Sequence, residues 1–461
     1  MKRMRRLMVP LVAFLASCTP IPNNTIPARA ANLATVSALP PMKTFANRAP
    51  AMASRPNSEI AQDFLDLAFR MESGRAIPVM TRFDGPISVR ATGATPASLG
   101  PDLRRLLGRI RSEAGIDIFY TTSESASITI HALPRAELQR AVPSAACFVV
   151  PRVSSWEEFK SARRSPQVDW TTLNRRDRVA IFVPSDTSPQ ELRDCLHEEL
   201  AQALGPLNDL YRLPDSVFND DNIHAVLTPF DMLILRAYYA PELSNGMTRG
   251  NSAVQLPRLL SRINPAGDRS GGRPSNDTSR DWIEAMEAAL ANGASPAKRR
   301  ASAATAVGLA RAFGWDGSRR GFAHFAFGRL QVGNQPEVAL ASFKAANNIY
   351  AQSSNTRLHS AHVAVQLAAF SLSSGDGLLT LELVNRAIPV ATHHENAALL
   401  ATLMMFRAEA LELTGRIDEA RQVRLDSLGW ARYGFGSERN VRARLREVQE
   451  LNPFNGAASG L

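Results

Sequence analysis

The stretch CLHEELAQALGPLND, which begins at residue 195, carries side chains that could do hydrolytic chemistry. A zinc-binding helix of that kind places two histidines four residues apart, so that both imidazoles share one face, with a glutamate after the first to activate metal-bound water. Starting at His197 the pattern fails, because the residue four positions on is Ala201. A frame that begins one residue later keeps the spacing, with Glu198 and Gln202 as first and second ligands and Glu199 as the base.

In this shifted frame, EELAQALGPLND resembles the metzincin pattern H-E-x-x-H-x-x-G-x-x-H with every histidine replaced. Gly205 falls where the helix turns sharply, and Asn208 falls at the third ligand position, followed by Asp209. Phe218, in DSVFNDD, stands where metzincins place a methionine beneath the metal, and TPFDMLILRAYYAPEL, from Thr228, is similar to their closing helix. The resemblance implies a metzincin-like α+β domain with a mixed sheet and an active-site-type helix.

Longer stretches resemble the bacterial domain-of-unknown-function family 2927 over Ile60–Met247. They are MESGRAIPVMTRFDGPISVRATG, LGPDLRRLLGRIRSEAGIDI, CLHEELAQALGPLND and DSVFNDDNIHAVLTPFDMLILRAYYAPEL. This resemblance names no activity. It implies that the sequence Glu-Glu-x-x-Gln is the family's own version of the motif.

The replaced ligands change the chemistry that the helix could support. Glu198, Gln202 and Asn208 would offer one carboxylate and two amide oxygens, which suit calcium, magnesium or manganese better than zinc. We therefore expect no cofactor, with weak binding of a divalent metal as the alternative. Glu199 could serve as a general base if burial or a neighbouring charge raised its pKa, but without a metal it lacks an activated water for amide hydrolysis.

A purely structural interpretation of the same residues stays open. Adjacent glutamates at 198 and 199 are typical of a solvated helix face. Gln202 and Asn208 could bond to each other and to the turn after Gly205, which would keep the shape of an old cleft without its chemistry.

The start of the chain indicates export and lipidation. Residues 1–17 form a signal peptide with a basic start and an apolar run shorter than the ~20 residues of a spanning helix. The segment LASC resembles the lipobox of bacterial lipoproteins, which predicts acylation of Cys18; the alternative is an ordinary signal peptide with an incidental cysteine. Residues 18–57, rich in Pro, Ala, Thr and Asn, suit a flexible tether. We expect a periplasm-facing lipoprotein of the cell envelope, and Thr19 favours the outer membrane.

Export also decides how the remaining cysteines are interpreted. Only Cys147 and Cys195 are left, and two thiols in an oxidising compartment favour one disulfide. The alternative is two small buried apolar side chains.

The charge balance limits the class of partner. The 461 residues carry 53 basic and 43 acidic side chains, a net charge of +10, and the arginines are scattered instead of forming one run. A nucleic-acid partner is therefore not expected, and a basic surface outside the cytoplasm suits anionic lipids or envelope polymers; the alternative is that the basic residues form solvated helix faces.

The patterns divide the exported chain into two folded domains. Residues 58–260 mix an opening helix, an amphipathic helix and the strand-like runs GPISVR, IDIFY, SITIHAL and VAIFV. Residues 261–280 form a linker rich in Gly, Pro and Ser, and residues 281–455 contain helical patterns without strand signals.

The helical domain shows an internal repeat. Turn glycines at 333, 375 and 415 each precede two small residues seven apart, and the first members, Ala339, Thr380 and Ala420, are separated by 41 and 40 residues. GRIDEARQVRLDSL and GNQPEVALASFKAA resemble the second helix of a tetratricopeptide repeat, although the period exceeds the usual ~34 residues. Such hairpins stack into groove-forming scaffolds; the alternative is an irregular helical bundle.

Three functional interpretations follow. In the first, a non-catalytic metzincin-like domain binds a peptide or polymer and the helical domain recruits an envelope protein. In the second, a metallopeptidase-like hydrolase uses Glu199 as general base with an atypical metal site. In the third, the protein is a structural envelope lipoprotein whose cleft binds nothing.

Overall fold

The computed structural model describes residues 38–46, 49–53, 55–143, 145–269, 277–291 and 293–456. Residues Pro40–Leu461 group into one compact unit, and Met1–Leu39 into another, of which only 38 and 39 are described. The predicted signal peptide and the predicted lipidation residue Cys18 lie outside the described residues. Within the described part of the chain, no helix is long and apolar enough to cross a membrane.

The N-terminal part of the unit Pro40–Leu461, which we call the α/β region, alternates helices and strands. Its elements are α1 (Asn57–Ala68), β1 (Ile87–Gly93), α2 (Leu99–Arg109), β2 (Ile118–Tyr120), β3 (Ile128–Leu133), α3 (Arg135–Ala141), β4 (Phe148–Pro151), α4 (Trp156–Ala162), β5 (Val179–Pro184), α5 (Pro189–Leu204), α6 (Pro229–Tyr238) and α7 (Arg249–Ile263).

The five strands form one mixed sheet in the order β2-β1-β3-β5-β4. All neighbours are parallel except β4, which lies antiparallel to β5 at the edge. β5 is buried along its whole length, which explains its uninterrupted apolar sequence VAIFVP. The prediction of an α+β fold with a mixed sheet is confirmed.

The sequence predictions omit the short helices α3 and α4. Each has only seven residues, too few for a clear helical period. Together with β4 and β5 they enclose a small second core on one side of the sheet, built from Leu138, Trp156, Phe159 and Phe182.

Cys147 and Cys195 form the predicted disulfide, with their Cα atoms 5.9 Å apart. Cys147 directly precedes the edge strand β4, and Cys195 lies in α5. The bond therefore ties the edge of the sheet to the helix that carries Glu198 and Glu199.

The C-terminal part, which we call the helical region, contains only helices among its described residues. They are α8 (Arg280–Leu290), α9 (Pro296–Ala312), α10 (Ser318–Gln331), α11 (Pro336–Tyr350), α12 (Arg357–Ser373), α13 (Gly377–His393), α14 (Ala397–Leu413), α15 (Ile417–Phe435), α16 (Glu438–Gln449) and α17 (Pro453–Gly456). The first eight pack as four successive hairpins: α8 with α9, α10 with α11, α12 with α13 and α14 with α15.

The small residues of the repeat lie where these hairpins are tightest. Ala339, Thr380 and Ala420, on α11, α13 and α15, are all fully buried. Gly375 and Gly415 adopt positive φ angles of 79° and 78° in the turns before α13 and α15, which explains the recurring glycine there.

The α/β region and the helical region share an interface within the compact unit. The ring of Tyr211 lies 5.0 Å from that of Trp282 in α8 and 6.0 Å from that of Phe322 in α10. Gln190, at the start of α5, donates to the Asn396 side chain at 3.1 Å and accepts from the backbone N–H of Ala398 at 2.8 Å.

Residues 40–46, part of the predicted tether, lie along α15. The ring of Phe45 stacks on Trp430 at 4.5 Å, and Lys43 forms an ion pair with Asp426. Arg105, in α2, donates to the carbonyl oxygen of Phe45 at 2.9 Å. This stretch therefore contacts both regions.

Candidate functional site

Helix α5 positions the predicted site residues. Its N-terminus is capped by the Ser188 hydroxyl, which accepts from the Glu191 N–H at 3.2 Å. Its C-terminus is closed by Arg176, a residue only 2% exposed, whose guanidinium donates to the carbonyl oxygens of Gln202, Ala203 and Gly205. The last carbonyls of a helix lack internal partners, so this cation satisfies and neutralises the helix end.

Gly205 ends α5 because no larger residue fits. A Cβ at this position would lie 2.8 Å from the ring of Tyr238 in α6. The chain can therefore turn directly against α6, as the metzincin resemblance implies for this glycine.

The turn that carries Phe218 is held by burial of this side chain and by hydrogen bonds to Asp231. Phe218 is fully buried in the main core. Asp231, also fully buried, accepts from the backbone N–H groups of Val217 and Thr228 at 3.1 and 2.7 Å and from the Ser216 hydroxyl. The start of α6 thus holds the loop that carries Phe218.

The two amides of the predicted ligand set are used inside the protein. Asn208 is buried, and its side-chain amide donates to the carbonyl oxygen of Asp66 at 2.9 Å. The Gln202 amide points to Asp209, with a long contact of 3.4 Å. Among the described residues, no group of three or more His, Cys, Asp or Glu side chains is arranged to hold a metal ion.

Glu198, Glu199 and Asp209 instead belong to what we call the carboxylate cluster, which also contains Glu72 and Asp220. Glu72 lies in the turn after α1. The Leu210 N–H donates to the Phe218 carbonyl at 3.0 Å, which links the segment that contains Asp209 to the segment that contains Asp220. The cluster therefore gathers carboxylates from four segments of the α/β region.

Burial and mutual repulsion raise the pKa values of four members of the carboxylate cluster. Burial, followed by the charges of Glu72 and Asp220, raises the pKa of Glu198 to about 7. Burial, followed by the charge of Glu72, raises the pKa of Asp220 to about 7 as well. The pKa values of Glu199 and Asp209 are raised well above their ordinary values, again chiefly by burial and then by Glu198.

The side chains of the carboxylate cluster differ in exposure, from buried to exposed. Glu199 is 4% exposed, whereas Glu198, Asp209 and Asp220 are half-buried and Glu72 is exposed. Glu287, an exposed residue of α8 in the helical region, adds negative charge near Asp220. One face of the cluster is thus open, and the helical region contributes to its rim.

A neighbouring group of acids in the α/β region is organised differently. Asp63 and Asp66 both pair with Arg212, at 2.9 and 2.7 Å, and Asp63 and Asp215 both pair with Arg55. A pocket of about 170 Å³ lies beside this arginine–aspartate network, lined by Arg55, Glu59, Gln62, Asp63, Arg212, Pro214 and Asn355.

His197, which begins the unshifted motif, has a structural role. It is buried, and its Nδ1 accepts from the backbone N–H of Leu227 at 3.0 Å. Burial, followed by the charge of Arg109, lowers its pKa well below the ordinary value. Neutral His197 therefore fixes the chain just before α6.

A second titratable group, which we call the histidine cluster, lies where the α/β region meets the helical region. It contains five of the eight histidines of the chain, together with Asp221: His224, His359, His362, His393 and His394. Nε2 of His359 in α12 lies 2.8 Å from the Asp221 carboxylate, and Nε2 of His224 donates to the Pro214 carbonyl at 2.9 Å.

Sequence reasoning finds only part of these groups. Glu198, Glu199 and Asp209 lie within one local motif, so their spacing identifies them. Glu72 lies far away in sequence, and nothing in the local pattern points to it. For the histidine cluster, the local signals are the adjacent pair His393 and His394 and the pair His359 and His362, three residues apart, and the sequence analysis gives them no weight.

Comparison with known proteins agrees with the resemblance noted over Ile60–Met247. A search among curated proteins found no significant match. Residues 57–258, which contain the whole carboxylate cluster, match the model of the family described as Protein of unknown function (DUF2927).

Proposed function

We propose that this protein is a lipid-anchored component of the cell envelope whose α/β region is a non-catalytic, metzincin-like binding module for a peptide or polymer. The mixed sheet, the long helix α5, the tight turn at Gly205 and the closing helix α6 support the metzincin-like interpretation. Acylation of Cys18 would attach the module to the membrane, with residues 19–39 as a spacer.

The observation that carries the proposal is the internal use of the former ligand positions. Asn208 is bonded to Asp66, and Gln202 points to Asp209, so neither amide is directed at a metal in the cleft. Burial, followed by the charge of Glu198, raises the pKa of Glu199 well above the ordinary value, which disfavours the ionised form. A base must be ionised to accept a proton, and amide hydrolysis needs an activated water, so this pKa shift and the internal use of both amides favour binding over hydrolysis.

The helical region has two roles in this proposal. Through α8, α10 and α12 it supports the loop after α5, which carries Tyr211 and Asp221. The stacked hairpins, interpreted as tetratricopeptide-like repeats, leave other surfaces for an envelope protein partner.

The proposal is tested with the full-length protein in detergent. It should bind an envelope peptide or polymer without releasing products, and Glu199→Gln should preserve both the fold and the binding. Cleavage that disappears in a folded Glu199→Gln variant would show that the domain is an enzyme. For the anchor, Cys18→Ser should move the protein from the membrane fraction to the soluble fraction.

A second candidate function is hydrolysis, and one observation favours it. Burial, followed by the charge of Glu198, raises the pKa of Asp209 well above its ordinary value, while the pKa of Glu198 is raised to about 7. A protonated carboxyl beside an ionised one is an arrangement that acid–base hydrolases use. Turnover lost in both Asp209→Asn and Glu199→Gln, with folds intact, would select this candidate.

A further inference from the structure

We infer that the carboxylate cluster binds a ligand that carries two or more protonated primary amines. This inference rests on the proposed binding function and names the chemical class of ligand. It comes from the charge balance, the exposure and the geometry of the cluster.

The charge balance is the first argument. Within the described part of the chain, none of Glu72, Glu198, Glu199, Asp209 and Asp220 forms an ion pair with a basic side chain, although the protein carries ten more basic than acidic residues. The adjacent arginine–aspartate network shows that arginines readily reach acids in this region. The carboxylate cluster therefore lacks the cation that similar acids nearby receive from the protein itself.

Unsatisfied acceptor atoms are the second argument. Oε2 of Glu199 and Oδ1 of Asp209 are buried and have no hydrogen-bond partner. Buried polar atoms in a folded protein are normally paired, so each such atom indicates a missing partner or a functional role. Ionised carboxylates only accept hydrogen bonds, whereas an ammonium group only donates them and has three N–H bonds to offer.

The arrangement of the carboxylates selects among cations. They come from four separate segments, and no set of three is placed to hold a metal ion. A guanidinium prefers one carboxylate that meets its flat fork in two parallel hydrogen bonds. Acceptors contributed by several segments instead fit the compact ammonium group with its diverging donors.

The gradient of exposure indicates more than one amine. Glu198 and Asp220 are half-buried, while Glu72 and Glu287, whose charges act on Asp220, are exposed. One ammonium would lie among Glu198, Asp209 and Asp220. A second, further along the ligand, would lie at the rim beside Glu72 or Glu287.

Binding of such a ligand is linked to proton release. At neutral pH, Glu198 and Asp220 hold protons for part of the time, because both pKa values are raised to about 7. A bound cation favours the ionised form and expels these protons. Affinity should therefore rise with pH between about pH 6 and pH 8 and fall with added salt.

The test is isothermal titration calorimetry of the full-length protein in detergent with two probes, the tripeptide Lys-Ala-Lys and spermidine. Gln-Ala-Gln is the uncharged control. Binding of both amine probes, with proton release detected as a difference between buffers of unequal ionisation enthalpy, is the expected result. Binding of only the peptide, or only the triamine, would identify which source of amines the cluster accepts.

Matched variants locate the binding. Glu198→Gln and Asp220→Asn should each weaken amine binding by about tenfold, because each removes a charge next to the ammonium. Glu124→Gln and Asp117→Asn remove the same charges from exposed positions of the α/β region and should change nothing. Melting curves should show all four variants folded, so that a loss of affinity cannot come from unfolding.

Two results would overturn the inference. One is amine binding that Glu198→Gln and Asp220→Asn leave unchanged. The other is failure of both amine probes to bind at pH 8 and low salt, whether or not Ca²⁺ binds. Neither result touches the proposed function, since the module could still bind an uncharged polymer; only turnover of a bound substrate would contradict that.

Discussion

The carboxylate cluster and the histidine cluster are both sets of titratable groups in one compact unit, but their surroundings differ. In the histidine cluster, Asp221 supplies a counter-charge to His359 and Pro214 accepts from His224. In the carboxylate cluster, like charges face one another with an open side. The first arrangement suits a joint between two parts of a protein, and the second suits a binding site.

Burial favours the neutral form in both clusters, which gives them opposite pH dependence. The pKa values of Glu198 and Asp220 rise to about 7, so the folded state holds more protons than the unfolded chain, and stability falls as the pH rises from about 4 to 7. Burial, followed by the charge of His359, lowers the pKa of His224 to about 4 and that of His362 to about 3. Stability from these histidines is present above about pH 6.5 and is lost as the pH falls through their folded-state values.

The largest expected effect comes from the disulfide, which fixes only the carboxylate side. Cys147 and Cys195 are 48 residues apart, and a crosslink closing a loop of this size stabilises a protein by about 4 kcal/mol in the chain-entropy treatment. The double variant Cys147→Ala/Cys195→Ala should lose about this much in denaturant unfolding. If the double variant, the reduced parent and the oxidised parent are all equally stable, α5 does not depend on the bond.

On the histidine side, the strongest single contact is that of Asp221. Its carboxylate binds His359 and also accepts from the backbone N–H of Ile223 and the amide of Asn219, both at 3.0 Å. Asp221→Ala leaves these buried donors without an acceptor and should lower the free energy of unfolding by ~2–3 kcal/mol. The exposed Asp117→Ala is the control and should be close to neutral; a similar loss in both variants would mean that the contact adds little.

What the sequence could predict depends on how far apart the contacting residues are. The capping box of Thr228 and Asp231, the turn at Gly205 and the buried strand β5 are local patterns, and the structure contains each of them. The pairing of Cys147 with Cys195 could be predicted from the expectation of an exported lipoprotein, which leaves only these two thiols.

Contacts between distant segments carry no comparable signal. Arg176 caps α5 from a loop 26 residues before Gln202, and Glu287 reaches the carboxylate cluster from another region. Glu72 also looks like an ordinary surface acid in MESGRA. The spacing within α5 singled out Glu198 and Glu199 as candidate site residues, whereas the acids from other segments that accompany them became clear only from the fold.

The loss of stability at low pH tests the histidine cluster separately. His362 is neutral when folded, its Nε2 has no hydrogen-bond partner, and the groups around it are His224, His359, Asp221 and Arg329. Its share of the acid-induced loss approaches about 1.4 kcal/mol per pH unit below pH 6.5. His362→Gln should reduce this slope between about pH 6.5 and pH 4, measured by unfolding at several pH values, while the slope at higher pH is kept. An unchanged acid slope would assign the loss to other groups.

The smallest expected effects separate Glu198 from Glu199. At pH 8, Glu198 is mostly ionised and is repelled by Glu72 and Asp220, so Glu198→Gln should stabilise the protein by about 1 kcal/mol. At pH 5 the parent Glu198 is already protonated, and the same substitution should have almost no effect. Burial and the charge of Glu198 raise the pKa of Glu199 well above the ordinary value, which favours its neutral form.

Glu199→Gln should therefore be close to neutral in thermal unfolding at pH 5 and at pH 8, and Glu124→Gln gives the baseline for an exposed glutamate. If Glu199→Gln instead stabilises the protein at pH 8 as much as Glu198→Gln does, Glu199 is ionised there. An ionised, buried carboxylate in this position could accept a proton, and the hydrolase candidate would then become stronger than the binding module.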